Sequence, residues 1–379
     1  MRRFSSGGGC PRAPSYRANN PPNPITLNSI SVEPNRRRSM PCLPYLVMRI
    51  GLQTSESEEN IAFVRSLGVT DVVCGMPADI DGVVPAQAFE QRRDHFAEHG
   101  LDWGVIENLS PTLYDEIMFG TPERERQLEG VCRTIENVGK AGIPVLQYQW
   151  MLLGGLRTEY SPTGRGGARY PKFDEAIASH MAAACLDWMG GGRHRYPHVP
   201  DRPLSSEEVW ANLEWFLKAV VPVAESAGVR LAAHPDDAPV PEYLGVARIL
   251  ISIDNLQRVI DTVPSPNNGI GFCMGTIGTM ADTDVIDAIR RIGGQGKVFF
   301  AHFRNPRGTV PAFEEVFPDE GDIDMVAAVS AWNDVSFDGV IRIDHCPGVV
   351  GDNPRADRSF AFQVGYLRGL VQSLERMGA

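Results

Sequence analysis

Two histidines, a cysteine and an aspartate, His234, Cys273, His302 and Asp344, follow one another in this chain at intervals of 39, 29 and 42 residues. Each ends or directly follows a short apolar run: Leu231-Ala232-Ala233 before His234, Gly271-Phe272 before Cys273, Phe300-Ala301 before His302, and Val340 to Ile343 before Asp344. A ligand-type residue at the same phase of four successive segments is hard to produce by chance. Two imidazoles, a thiolate and a carboxylate suit a borderline divalent cation such as Mn²⁺, Fe²⁺, Co²⁺ or Zn²⁺, whereas magnesium prefers all-oxygen ligation. Cys273 also has a plain packing reading, because buried cysteine is common as a small apolar side chain. His345 leaves its strand in a different direction from Asp344, so it is the candidate acid or base rather than a fifth ligand.

The elements that must position these residues follow a repeated rhythm. From residue 46 onward, eight short apolar runs read as strands: Leu46–Leu52, Asp71–Cys74, Asp102–Glu107, Pro144–Gln149, Arg230–Ala233, Gly269–Phe272, Lys297–Ala301 and Val340–Ile343. Between them lie amphipathic stretches such as Glu58–Ser66, Glu123–Ala141, Glu207–Ala227, Asp282–Ile292, Ile323–Asn333 and Arg358–Arg376, several opened by Ser, Thr or Asp as a helix N-cap would be. Eight strand–helix units, with no GxGxxG after the first strand, predict an α/β fold: a single closed (β/α)8 TIM barrel over 46–379. All strand C-termini of such a barrel open on one face, so the four candidate ligands converge there. The rhythm breaks between about 150 and 203, where Gly164 to Gly167 and Gly190 to Gly192 stand among arginines and aromatics; an insertion of that length on the active-site face reads as a lid.

The net charge of −11 argues against nucleic acid as the main partner, since phosphate binding needs a basic face. No run of 18 apolar residues predicts a membrane span. Residues 1–45 carry seven arginines and one acidic residue, with no periodic apolar face, and read as a disordered extension. That composition suits an organelle-targeting peptide, and a true start at Met48 explains it as well. The seven cysteines form no close pair, which points to a reducing, cytoplasmic setting. A homo-oligomer is a prior only.

Other polar residues near the strand ends have two readings each. Asp236 and Asp237 follow Pro235 and would cap a turn or orient substrate hydroxyls. Arg304 offers a planar fork for a carboxylate, with Asn305 beside it, or salt bridges. Glu107 is a substrate contact or a buried partner for an arginine. His194 and His198, in the insertion, read as solvated, and Met274 to Met280 as packing.

At these strand ends the sequence resembles the mannonate dehydratases, a family of xylose-isomerase-like barrels. The matching segments include Gly100-Leu101-Asp102-Trp103-Gly104-Val105-Ile106-Glu107, Arg157-Thr158, His234-Pro235-Asp236-Asp237, Phe272-Cys273, His302-Phe303-Arg304-Asn305 and Gly321-Asp322-Ile323-Asp324-Met325, and they run from about residue 48 to the C-terminus. The resemblance implies dehydration of D-mannonate to 2-keto-3-deoxy-D-gluconate with a divalent ion, usually manganese. It implies His234, Cys273, His302 and Asp344 as ligands and His345 as a proton-transfer residue. Arg157 joins Arg304, Asn305, Asp236, Asp237 and Glu107 as candidate contacts for a small sugar acid. The chain departs from the family pattern in three places. Phe360-Ala361 stands where a Gly-Tyr pair is usual, Pro318 replaces a loop histidine, and Arg342-Ile343-Asp344-His345 replaces Arg-Pro-Asp-His. The same barrel would serve a sugar isomerase or epimerase, or a sugar-acid-binding protein without turnover.

Overall fold

The computed structural model describes residues 48–180, 196, 198–345 and 347–377. The predicted extension 1–45 and His194 lie outside these residues.

Eight parallel strands close into a barrel: β1 (Arg49–Gln53), β2 (Asp71–Cys74), β3 (Asp102–Ile106), β4 (Val145–Gln149), β5 (Arg230–His234), β6 (Asn268–Cys273), β7 (Val298–Phe303) and β8 (Val340–Ile343). Closure is made by β8 against β1, with Arg49 opposite Val340 and Gly51 opposite Arg342. The strands are buried on both faces, which is why they read as unbroken apolar runs. Inside the barrel Val73, Val105, Val145, Ala232, Phe299, Phe300 and Val340 form one apolar cluster, while the larger core lies between strands and helices.

The helices that follow the strands include α1 (Glu58–Ser66), α2 (Ala86–Glu98), α3 (Arg124–Lys140), α4 (Ser206–Ala227), α5 (Ile253–Thr262), α6 (Val285–Ala288), α7 (Met325–Asp334) and α8 (Asp357–Met377). Local chemistry sets their ends. Ser57 caps α1 by accepting from Asn60 N, and Asp324 caps α7 by accepting from Val326 N and Ala327 N. Ser205 and Glu208 exchange hydrogen bonds as a capping box at α4, which ends at Gly228 in the left-handed region, φ 72°. The stretch predicted as one helix over Asp282–Ile292 begins later, at Val285, because Asp284 is its cap; its last turn, Ile289–Gly293, is widened to a π-turn.

Residues 181–195 and 197 of the expected lid lie outside the described residues; the rest of the insertion adds strands. Its strands Glu159–Ser161 and Tyr170–Asp174 pair antiparallel with each other, and the second pairs with Ala312–Glu315 from the segment after β7. Pro306–Arg307 completes a four-stranded sheet. Phe173 stacks on Phe313 at 5.3 Å, and Arg157 lies over the same Phe313 ring. This sheet stands on the C-terminal side of the barrel and reaches the site directly.

Candidate metal centre and active site

Strand register places the four predicted ligands side by side. His234 is the last residue of β5, Cys273 the last of β6 and the Cα partner of His302 on β7, and Asp344 follows β8. All four are buried. His234 Nε2 lies 3.4 Å from His302 Nδ1, Asp344 Oδ2 lies 3.6 Å from His302 Nδ1, and the Cys273 thiol is 3.6 Å from the same carboxylate oxygen. His234 Nδ1 is 2.7 Å from the Pro235 carbonyl, a contact that places the proton on Nδ1 and leaves Nε2 as the donor atom. On His302 the roles reverse: Nδ1 faces the cluster and Nε2 lies 3.2 Å from Glu107 Oε1. Cys273 caps the short helix Met274–Gly278, its sulfur accepting from Thr276 N at 3.4 Å and Thr276 Oγ1 at 3.2 Å.

A second layer of charge surrounds this cluster. Arg342 reaches Glu107 at 2.5 Å and Asp344 at 3.0 Å; Arg304 reaches Asp344 at 3.0 Å, Asp237 at 2.8 Å and Glu315 at 3.1 Å. Arg157 holds Asp237 through both oxygens, at 2.8 and 2.9 Å, and also bonds Glu315. Burial alone would raise the four carboxylates. The arginines beside them outweigh it, holding Glu107 and Glu315 at about 2, and, with His345 and His302, Asp344 well below the usual range; Arg157 and Arg304 do the same for Asp237. Burial lowers His234, so its imidazole is favoured neutral, the form a ligand needs.

These residues fit a divalent cation. Glu107, Asp237, Glu315 and Asp344 bring four negative charges against three from Arg157, Arg304 and Arg342, all buried, and a Cys273 thiolate would add a fifth. A cation would offset that deficit, and two overlapping groups of converging donor atoms could hold one: His234, Cys273 and His302, and Glu107, His302 and Asp344. The centre opens on a cavity of about 750 Å³ whose wall includes Gln53, Asn108, Ser110, Gln149, Tyr196 and His345, a size and polar lining suited to a small polyol.

The amino-acid sequence matches the D-mannonate dehydratase (UxuA) family over residues 52–379, most of the chain. It belongs to that family. Mannonate dehydratase 2 of Halalkalibacterium halodurans is 29% identical over 310 residues, covering 78% of this chain and 89% of that protein. The crystal structure of mannonate dehydratase from Streptococcus suis serotype 2 superposes with a TM-score of 0.77 at 27% identity, covering 88% of this chain and 96% of that one. A xylose isomerase domain protein from Planctomyces limnophilus shares the fold, with a TM-score of 0.55 at 16% identity, over 88% of this chain and all of its own. Family membership makes the chain a sugar-acid hydro-lyase on a metal-dependent barrel.

Within that family frame the candidate contacts divide. Glu107, Asp237, Arg304 and His345 line the cavity. Asp236, Asn305 and Arg157 are not among the residues that line it, and each is bonded within the protein. Asp236 accepts from Ile249 N at 3.0 Å and Leu250 N at 2.8 Å. Asn305 clamps the loop after β7, bonding the Pro318 and Ile323 carbonyls and Ile323 N. Arg157 is wholly buried behind Asp237 and Glu315. His198 is half-exposed and bonded to Asp115 at 2.9 Å. Tyr366, near the family's tyrosine in sequence, packs between Phe303 and Phe362 rather than on the cavity.

Two residues that the spacing did not single out matter here. Glu315 sits at the end of a strand in the small sheet, and its partner Arg157 lies 158 residues away in sequence. Thr276 lies in the stretch read as packing: Met274 and Met280 do pack, but Thr276 accepts from Arg304 at 2.9 Å and donates to Cys273. The only hint of Glu315 was the alternation Phe313-Glu314-Glu315, with the acid on the same strand as a core aromatic.

Proposed function

We propose that this chain dehydrates D-mannonate, or a hexonate closely like it, to the 2-keto-3-deoxy acid with Mn²⁺ or another borderline divalent ion held by His234, Cys273, His302 and Asp344. The observation that supports the reading is that His234, His302 and Asp344 share one cavity wall with His345, with the buried Cys273 thiol 3.6 Å from Asp344 behind them. When bound, the ion would supply Lewis acidity that acidifies the proton on C2 of the substrate.

The remaining work falls to side chains. Both arginines on the cavity wall, Arg304 and Arg342, are already engaged by carboxylates; they orient the ligands and keep them ionised rather than acting as spare anion sites. His345 transfers the C2 proton. Loss of that proton and of the C3 hydroxide, which leaves as water, gives an enol that tautomerises to the keto acid. Gln53, Asn108, Ser110 and Gln149 face the hydroxyl-bearing tail with neutral donors and acceptors.

Phe360-Ala361 and Pro318 stand where the family pattern has groups for hydroxyl departure, and this favours one second reading: isomerisation or epimerisation from the same proton transfer. Product mass decides between them. A product lighter than D-mannonate by one water supports dehydration, and a product of unchanged mass supports the second reading.

A further inference from the structure

We propose that Tyr196 is a specificity-determining residue that limits the length of sugar acid the cavity accepts, held in the wall by an anchor between His198 and Asp115; this rests on the reading of the chain as an aldonate dehydratase. Tyr196 belongs to the insertion, is 3% exposed and lines the cavity. Leu113 and Met151, from the segments after β3 and β4, line it too. In the closed barrel β3 and β4 stand across the mouth from β7 and β8, which carry His302 and Asp344. Asn108, Ser110 and Gln149, which face the hydroxyl-bearing tail, come from the same side as Leu113 and Met151. An acid whose C2 lies at the donor cluster therefore runs toward the wall that holds Tyr196.

Two sets of contacts fix this residue. Its hydroxyl donates to the Met151 carbonyl at 3.0 Å, and its ring meets Phe119 edge-on, with centroids 6.0 Å apart at 80°. Two residues on, His198 N donates to Asp115 Oδ2 at 3.2 Å, and His198 Nδ1 lies 2.9 Å from the same oxygen. Asp115 Oδ1 accepts from Glu116 N at 3.0 Å and from Gln127 Nε2 at 2.9 Å, so both oxygens of this wholly buried carboxylate are engaged. Val199 N donates to the Tyr196 carbonyl at 3.2 Å, which joins anchor and tyrosine in one turn. The phenol proton is spent on Met151, so Tyr196, Leu113 and Met151 present an uncharged, largely apolar surface. An extra hydroxymethyl carbon driven against it would meet a packed wall and bury a hydroxyl short of partners. One added carbon at such a wall is worth roughly 10- to 200-fold in discrimination.

The test compares D-mannonate with the seven-carbon aldonate that extends its tail by one hydroxymethylene, in full-length Mn²⁺-loaded protein. The wild type should favour the six-carbon acid in kcat/KM by roughly 10²-fold. Tyr196→Ala should cut that ratio by about tenfold or more, chiefly through a gain on the longer acid. His198→Ala removes the anchor and leaves the wall's own atoms in place; it should lower the ratio in the same direction by a smaller factor, and it serves if the Tyr196 variant does not fold. A wild type indifferent to length, or a Tyr196→Ala variant in which both acids fall by the same factor, overturns the proposal. Calorimetric titration of the metal-loaded wild type and variants with the two acids reads the same discrimination without turnover. If the wild type binds but converts neither acid, the dehydratase reading fails and the ratio of affinities still decides the role of Tyr196; a wild type that binds neither acid overturns both.

Discussion

At the residue scale the centre works by enforced ionisation. Glu107 is held at about 2 by Arg342 and His302 against its own burial, so it is a full negative charge facing His302 Nε2. An imidazole whose outer nitrogen meets a carboxylate is a stronger donor at its inner one, and losing such a partner lowers metal affinity by roughly 10- to 100-fold. Glu107→Gln is expected to weaken Mn²⁺ binding by that order in a competition titration, with secondary structure unchanged. Arg157 is the corresponding support for Asp237 and Glu315. The folded-state value of Glu315, about 2, lies below its ordinary 4.5, so its stabilising contribution is complete above about pH 4.5 and is lost as pH falls through about 2. Urea unfolding of metal-free protein should show stability declining across that window. Arg157→Met should lose about 3 to 5 kcal/mol at pH 7 and show a shallower decline, since its carboxylates no longer stay ionised in acid.

At the element scale, the short helix after β6 shows how backbone shape holds side chains in place. Gly275 lies directly beneath Arg304, where an added Cβ would run into the guanidinium Nε and Cδ. Gly275→Ala should displace Arg304 from Asp344 and Asp237, lowering kcat and metal affinity together while the barrel stays folded, a combination that steady-state kinetics with metal analysis would reveal. The eight strands were legible in the sequence because parallel strands covered on both faces need uninterrupted apolar runs. The helix α2 was not among the stretches singled out, because its buried face rests on Phe89 and Phe96 amid charged residues. The four convergent side chains were legible from their common phase, since register alone carries strand ends to neighbouring places. Direction was not legible beyond the strand ends. Asp236, Asn305 and Arg157 have the residue types of substrate contacts, but loop geometry turns them toward backbone and countercharge. Glu315 was hidden because its strand is completed by a segment about 140 residues earlier in the chain.

At the scale of the whole molecule, the proposed ligands at the ends of β5, β6 and β7 and just after β8 would tie half the barrel to one point. A cation that binds there only in the folded state stabilises the whole domain, by about 2.7 kcal/mol when its free concentration is a hundred times its dissociation constant. Thermal unfolding should therefore shift upward with added Mn²⁺ and return on chelation, and the shift should shrink in Asp344→Asn. Among the described residues no helix is long and apolar enough to cross a membrane. The most direct test of the account is to strip the metal, restore Mn²⁺, supply D-mannonate and follow formation of the 2-keto-3-deoxy acid in wild type and in His345→Asn. The account predicts product from the reconstituted wild type alone, with His345→Asn binding metal normally and forming none; product without metal, or a metal-loaded wild type that dehydrates no hexonate, would contradict it.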